Sequence, residues 1–178
     1  MDSPAKPSLA APATASRRYL VTHREHHARM MPYVDALPEL AEMLGRSEPV
    51  AFAERLEHEC DFILGEMLPH IVTIEETLYP QLDRMMDKRH TMQPMREEHA
   101  QLRSLVESLC HYRLDVVTGK LDEADAIGLR RILYRLYALI KVHLAEEELY
   151  LGVIDRELSD DEKNQLERGV DHASAEPV

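Results

Sequence analysis

The stretch LRRILYRLYALIKVHLAEEELYLGVI, residues 129–154, decides the architecture. Leu129, Leu133, Leu136, Ile140 and Ile154 lie on one a/d stripe, and the same stripe carries His143 and Glu147. Steps that alternate between four and three residues trace one face of an α-helix. An imidazole and a carboxylate one turn apart on that face point into a core instead of into water.

Three further segments repeat the pattern. The first helix gives Leu20, His23, His27, Met30, Val34, Leu37 and Leu44. The second gives Leu56, Cys60, Ile63, Met67, His70, Ile74 and Thr77. The third gives Met92, Met95, His99, Leu102, Val106, Leu109 and Val116, with Arg113 as the exception. Four amphipathic helices with short connections predict an all-α fold, an up-down-up-down four-helix bundle. The spacing places helix 1 over residues 17–44, ending at Gly45, with Pro32 and Pro38 as points of kinking or a broken start. Helix 2 opens on Ser47, Glu48 and Pro49, with Ser47 as its cap, and runs to about Lys88. Helix 3 spans Thr91 to Gly119, and helix 4 runs from Asp122 to about Glu157. Ser159 caps a short fifth helix over 160–168, stopped by Gly169. The domain plan is therefore a disordered tail over 1–16, a bundle over 17–158, and a short helix and tail over 159–178.

Composition narrows the function classes. The 178 residues suffice for one domain with a sizeable core. Of these, 30% are charged and only 5% aromatic, a balance that favours helix over sheet. A net charge of −12 argues against nucleic acid and against anionic membrane surfaces, both of which call for a basic patch. No apolar run approaches the ~18 residues of a transmembrane helix, and the segment 1–16 lacks the apolar stretch of a signal peptide. Cys60 and Cys110 form no CxxC pair and no disulfide framework, so a reducing cytoplasm is the simplest setting.

The histidines carry the chemistry. A single histidine on an apolar stripe is more often a hydrogen-bonded core residue than a ligand. Histidines on four stripes are another matter, because each imidazole buried without a partner costs on the order of 1–3 kcal/mol. Glu147 on the same stripe adds a buried negative charge, and a bound cation resolves the whole set. Four residues of helix rise about 6 Å. One layer is thus His27, His70, His99 and His143, and the layer one turn away is His23, Ile74, Met95 and Glu147. A site between the layers has five imidazoles and one carboxylate, enough for two iron-like ions but short of a bridging acid. Glu75 is the nearest candidate for it, although it points roughly 140° away from His70 in a regular helix. It needs a π-bulge to turn inward. Glu66, Tyr33 and Tyr137 lie on the other side of the histidine layer, either as further donors or as a hydrogen-bonded cap. His26 falls off the stripe and is expected to be exposed, as are His58, His90, His111 and His172.

At these residues the chain resembles the hemerythrin-like (HHE cation-binding) family over about Tyr19 to Ile154. His26-His27-Ala28-Arg29-Met30-Met31-Pro32 is similar to the family's first-helix histidine segment. Leu68-Pro69-His70 through Glu75-Glu76-Thr77-Leu78-Tyr79-Pro80 is similar to its second, and Arg96-Glu97-Glu98-His99 with His143 to Tyr150 to its third and fourth. The resemblance implies a non-haem di-iron centre, with His27, His70, His99, His143 and Glu147 as ligands. Ile74 stands where the family has a carboxylate four residues after the helix-2 histidine. His23, and Glu75 or Glu66, are the compensating candidates; without compensation one iron is expected instead of two. The function implied is binding of O2 or a related ligand such as nitric oxide or peroxide. A peroxide-disproportionating or iron-oxidising enzyme is the first alternative, favoured if Tyr33, Tyr137 or Glu66 reaches the metal. A metal-free interaction or regulatory bundle is the second.

Overall fold

A computed structural model describes residues 13–85, 91–157, 159 and 161–163, with backbone alone for 13–22, 85 and 157. Among the described residues the fold is all-helical, with no strand. The helices are α1 (Ala13–Met43), α2 (Pro49–Phe62), α3 (Leu68–Met85), α4 (Gln93–Val117) and α5 (Glu123–Glu157). Between α2 and α3 runs a π-helical turn, Ile63–Met67. The expected second helix is therefore one helical run with a π turn inside it. The bulge that was expected beside Glu75 lies upstream of His70 instead.

Helix ends follow local chemistry. Gly45 and Gly119 take positive φ (75° and 66°), the conformation that stops a helix at least cost to a residue without a side chain. Arg130 of α5 donates to the carbonyls of Ala41 and Leu44 at 3.1 and 2.8 Å, covering the exposed end of α1. Ser47 does not cap α2. Its hydroxyl donates back to the Met43 carbonyl, and Glu48 precedes the helix without a side-chain cap. Pro49 takes the first helical position, where its missing N–H costs nothing. α1 starts at Ala13, ahead of the expected boundary, and runs unbroken through Pro32 and Pro38. Of the expected short fifth helix, residues 161–163 are helical behind Ser159, and the remainder lies outside the described residues, as do His90 and His172.

α1 packs against α5 and α2, and α4 packs against α5, α2 and α3. The a/d stripes read from sequence are buried throughout, except that Val116 is half-buried and Leu20 lies outside the described side chains. Arg113, the exception on α4, is half-buried and pairs with Glu57. Two apolar clusters form the core. The larger includes Met30, Met67, Ile71, Leu102 and Ile140; the smaller includes Ile74, Leu78, Met95, Leu151 and Ile154. On the a/d stripes, His70 falls between Met67 of the larger cluster and Ile74 of the smaller, His99 between Leu102 and Met95, and His143 with Glu147 between Ile140 and Ile154. A buried polar layer thus divides the core. No helix among the described residues is long and apolar enough to cross a membrane.

Candidate metal centre

Six polar side chains converge in this layer: His23 and His27 from α1, His70 from α3, His99 from α4, and His143 and Glu147 from α5. All are buried, His99 and His143 completely. Their donor atoms form two groups that meet at Glu147. His23, His27, His70 and Glu147 make one, and His99, His143 and Glu147 make the other. Glu147 Oε2 lies 3.0 Å from His27 Nε2, 3.1 Å from His70 Nε2 and 3.8 Å from His23 Nε2. Glu147 Oε1 lies 3.4 Å from His143 Nε2. One carboxylate therefore presents a different oxygen to each group.

The second group is held from behind. Nδ1 of His99 lies 2.8 Å from Glu75 Oε1, and Nδ1 of His143 lies 3.0 Å from Glu98 Oε2. A carboxylate only accepts, so each Nδ1 is the donor and each Nε2 turns toward the layer. The two Nε2 atoms are 2.9 Å apart. Two imidazole lone pairs cannot face each other at that distance without a proton or a cation between them. The arrangement therefore suits a metal ion bound by imidazole and carboxylate.

The charge states agree. Burial brings His23 down to about 3, against the pull of Glu147. Burial and the neighbouring His143 bring His99 down to about 4. His143 is raised: burial works to lower it but is outweighed by the carboxylates of Glu147 and Glu98. Glu147 is held well below the usual carboxylate range, because the imidazoles of His143, His27 and His70 overcome its burial. His23 and His99 thus stay neutral beside an ionised Glu147, and neutral imidazole with carboxylate is the form that binds a metal.

Several residues lie elsewhere than expected. Glu75 joins neither group; it sits behind His99 and is paired with Arg103 at 2.7 Å. That salt bridge, with the hydrogen bond from His99, offsets burial and keeps Glu75 ionised. Glu66 is exposed and lines a small surface cleft with His26, Arg29, Met30, Tyr33 and Phe62. Tyr33 is half-buried and stacks on Phe62, and Tyr137 is half-buried near Lys141. His26 is half-buried, its ring 5.1 Å from that of His70, whereas His58 and His111 are exposed as expected. Ile74 is buried in the smaller apolar cluster.

One residue of the layer escaped the sequence reading. Tyr79 is fully buried, and its hydroxyl donates to Glu147 Oε1 at 3.1 Å and lies 3.3 Å from His99 Nε2. Burial and the negative charge of Glu147 push its phenol up, so it is a neutral donor here. It follows Glu75 by four residues, so whatever turns Glu75 toward α4 turns Tyr79 the same way. That spacing was the available signal.

No curated protein and no solved structure matched the chain in the comparisons made. The family model for the hemerythrin HHE cation binding domain matches residues 20–154. The match spans α1 from its buried histidines through α5 to Ile154, the whole of the polar layer, and the chain belongs to that family.

Proposed function

We propose that this chain is an up-down-up-down four-helix bundle that binds two non-haem irons in its polar layer and through them binds O2, or a related ligand such as nitric oxide or peroxide. The observation that carries this is the position of Glu147 between two imidazole groups, with one oxygen toward each. His23, His27 and His70 would hold one iron and His99 and His143 the other, with Glu147 shared. Bound iron would supply the redox electrons and the open coordination position at which a small ligand attaches.

The protein's part is orientation and exclusion of water. Glu75 and Glu98 fix the tautomers of His99 and His143, so that their Nε2 atoms face inward without rearrangement. Met30, Met67, Ile74, Met95 and Ile140, all buried, wall the layer off from solvent. A dry wall slows loss of a reactive ligand by protonation. The enzymatic alternative would gain support if Tyr33, Tyr137 or Glu66 reached the centre; Glu66 and Tyr33 line a surface cleft instead, and Tyr137 lies beside Lys141. Free Cys60 and Cys110 are in keeping with a reducing compartment such as the cytoplasm.

The test is exposure of the iron-loaded, reduced protein to O2, nitric oxide and peroxide in turn. A spectral change that reverses when O2 or nitric oxide is removed supports a binding protein. Sustained consumption of peroxide or of added ferrous iron would make it an enzyme instead.

A further inference from the structure

The His99–His143 group is short of a donor. It has two imidazoles and a shared carboxylate oxygen, whereas the other group has three imidazoles and the same carboxylate. Ile74, where the family has a carboxylate, is buried in the smaller apolar cluster and offers no donor. The Tyr79 hydroxyl stands beside this group, 3.1 Å from Glu147 Oε1 and 3.3 Å from His99 Nε2.

We infer that Tyr79 is the fourth protein ligand of the cation held by His99, His143 and Glu147, bound through its phenolate oxygen. The inference rests on the reading of the layer as a two-iron centre and adds a ligand to it.

Three observations carry it. The first is placement. Glu75 and Tyr79 sit one turn apart on α3 and bracket His99, Glu75 at Nδ1 and Tyr79 at Nε2. The Tyr79 ring also stacks on the His99 ring, centroids 5.3 Å apart and planes 14° from parallel. Glu75 is also held by both terminal nitrogens of Arg103, at 3.2 and 2.7 Å. The second is the set of atoms that meet there. His99 Nδ1 donates to Glu75, which leaves a lone pair on Nε2 facing the phenol oxygen. The phenol's only proton goes to Glu147 Oε1, so the phenol oxygen also presents lone pairs. A phenol oxygen, a carboxylate oxygen and two imidazole nitrogens thus converge on one region, and these are donor types that a transition-metal cation takes. The third is charge. Two cations in a dry layer face a single ionised carboxylate, Glu147, and loss of the family carboxylate at Ile74 removes a second negative charge. A phenolate restores it. When ferric iron binds, the Tyr79 O–H bond breaks, an oxygen–iron bond forms and the proton leaves to solvent, with no change of oxidation state.

The experiment compares the full chain, loaded with iron and oxidised, with its Tyr79→Phe and Tyr137→Phe variants. Iron per chain, visible absorption and resonance Raman spectra excited in the visible band are recorded for each. The wild type is expected to show a phenolate-to-iron charge-transfer band with enhanced tyrosine ring modes that shift when ring-deuterated tyrosine is incorporated. Tyr137→Phe is expected to keep them. Tyr79→Phe is expected to lose them and to retain about half the iron per chain. Deuteration is read on wild type, so the inference stays testable even if Tyr79→Phe folds poorly. A wild type that binds two irons without tyrosine ring modes would overturn the inference and leave the two-iron reading standing. Ring modes that persist in Tyr79→Phe would do the same. A wild type that binds no iron would overturn both.

Discussion

The two halves of the polar layer are built on different plans. The group from α1 and α3 has three imidazoles, His23, His27 and His70, crowded with rings 4.3 to 5.3 Å apart. The group from α4 and α5 has only His99 and His143, but each is backed by a carboxylate, and Tyr79 stands beside them. One half gains its donors by number and the other by fixed orientation. Glu147 is the element they share. The difference teaches that the side with fewer imidazoles is the side where a buried phenol and two backing carboxylates stand, while Glu75 and Glu66 join neither group.

Substitutions at the shared residue should break the comparison most completely. Glu147→Ala is expected to abolish iron loading in both halves, measured as iron per chain, because both halves lose the carboxylate they share at once. His143→Ala should come next, emptying the half that then has a single imidazole. His70→Ala should be milder, since His23 and His27 remain. If calorimetric titration finds the two histidine variants equally impaired, the two halves do not load independently. Glu98→Gln removes a backing carboxylate while leaving every inward-facing atom in place. It should weaken iron affinity about 10–100-fold, in the half containing His143.

Ile74→Glu sharpens the comparison from the other direction. Without iron it places an unpaired carboxylate in the smaller apolar cluster and should cost a few kcal/mol in a denaturant titration. With iron it should restore loading to the Tyr79→Phe variant. Failure to rescue would mean that Ile74 does not face the same position as Tyr79.

Most of the fold was legible because burial in a bundle is periodic. Nearly every residue placed on an a/d stripe is buried, and the two-layer count gave the five imidazoles and Glu147 that the structure brings together. What was not legible follows from the π turn at Ile63–Met67. The apolar spacing Cys60, Ile63, Met67, His70 runs through it without interruption, so no pattern marks the extra residue. After the turn the buried face of α3 is wider than one stripe and takes in Ile71, Leu78, Tyr79 and Leu82 as well as Ile74 and Thr77. A strict heptad therefore passes over Tyr79. It also made Glu75 look like a donor needing rotation, when its side chain already reaches the far nitrogen of His99. Tyr33 and Tyr137 drew attention because they sit near the stripes, but Tyr33 stacks on Phe62, Tyr137 lies beneath Lys141, and both pack against the larger apolar cluster.

The smallest expected effect concerns acid stability of the metal-free chain. His23 titrates at about 3 and His99 at about 4 when folded, against 6.5 for the unconstrained side chain. Below pH 6.5 the unfolded chain therefore takes up protons that the folded chain refuses, and stability falls with falling pH from about 6.5 toward 4. His143, raised in the folded state, acts in the opposite sense and offsets part of this. The net expectation is a Tm lower by about 5 °C or more at pH 5 than at pH 7. Bound iron should hold the imidazoles deprotonated and flatten the profile until the metal is released. A metal-free Tm that rises on acidification would show that the histidines are charged in the layer.

The most direct measurement is the iron content of the wild-type chain purified from iron-supplemented cells, together with its optical spectrum. About two irons per chain, with oxo-to-iron absorption in the near ultraviolet, are expected from two donor groups sharing Glu147. A chain that stays free of iron under these conditions, and when reconstituted with ferrous iron in the absence of air, would contradict a metal centre. It would leave the polar layer as the core of an interaction module.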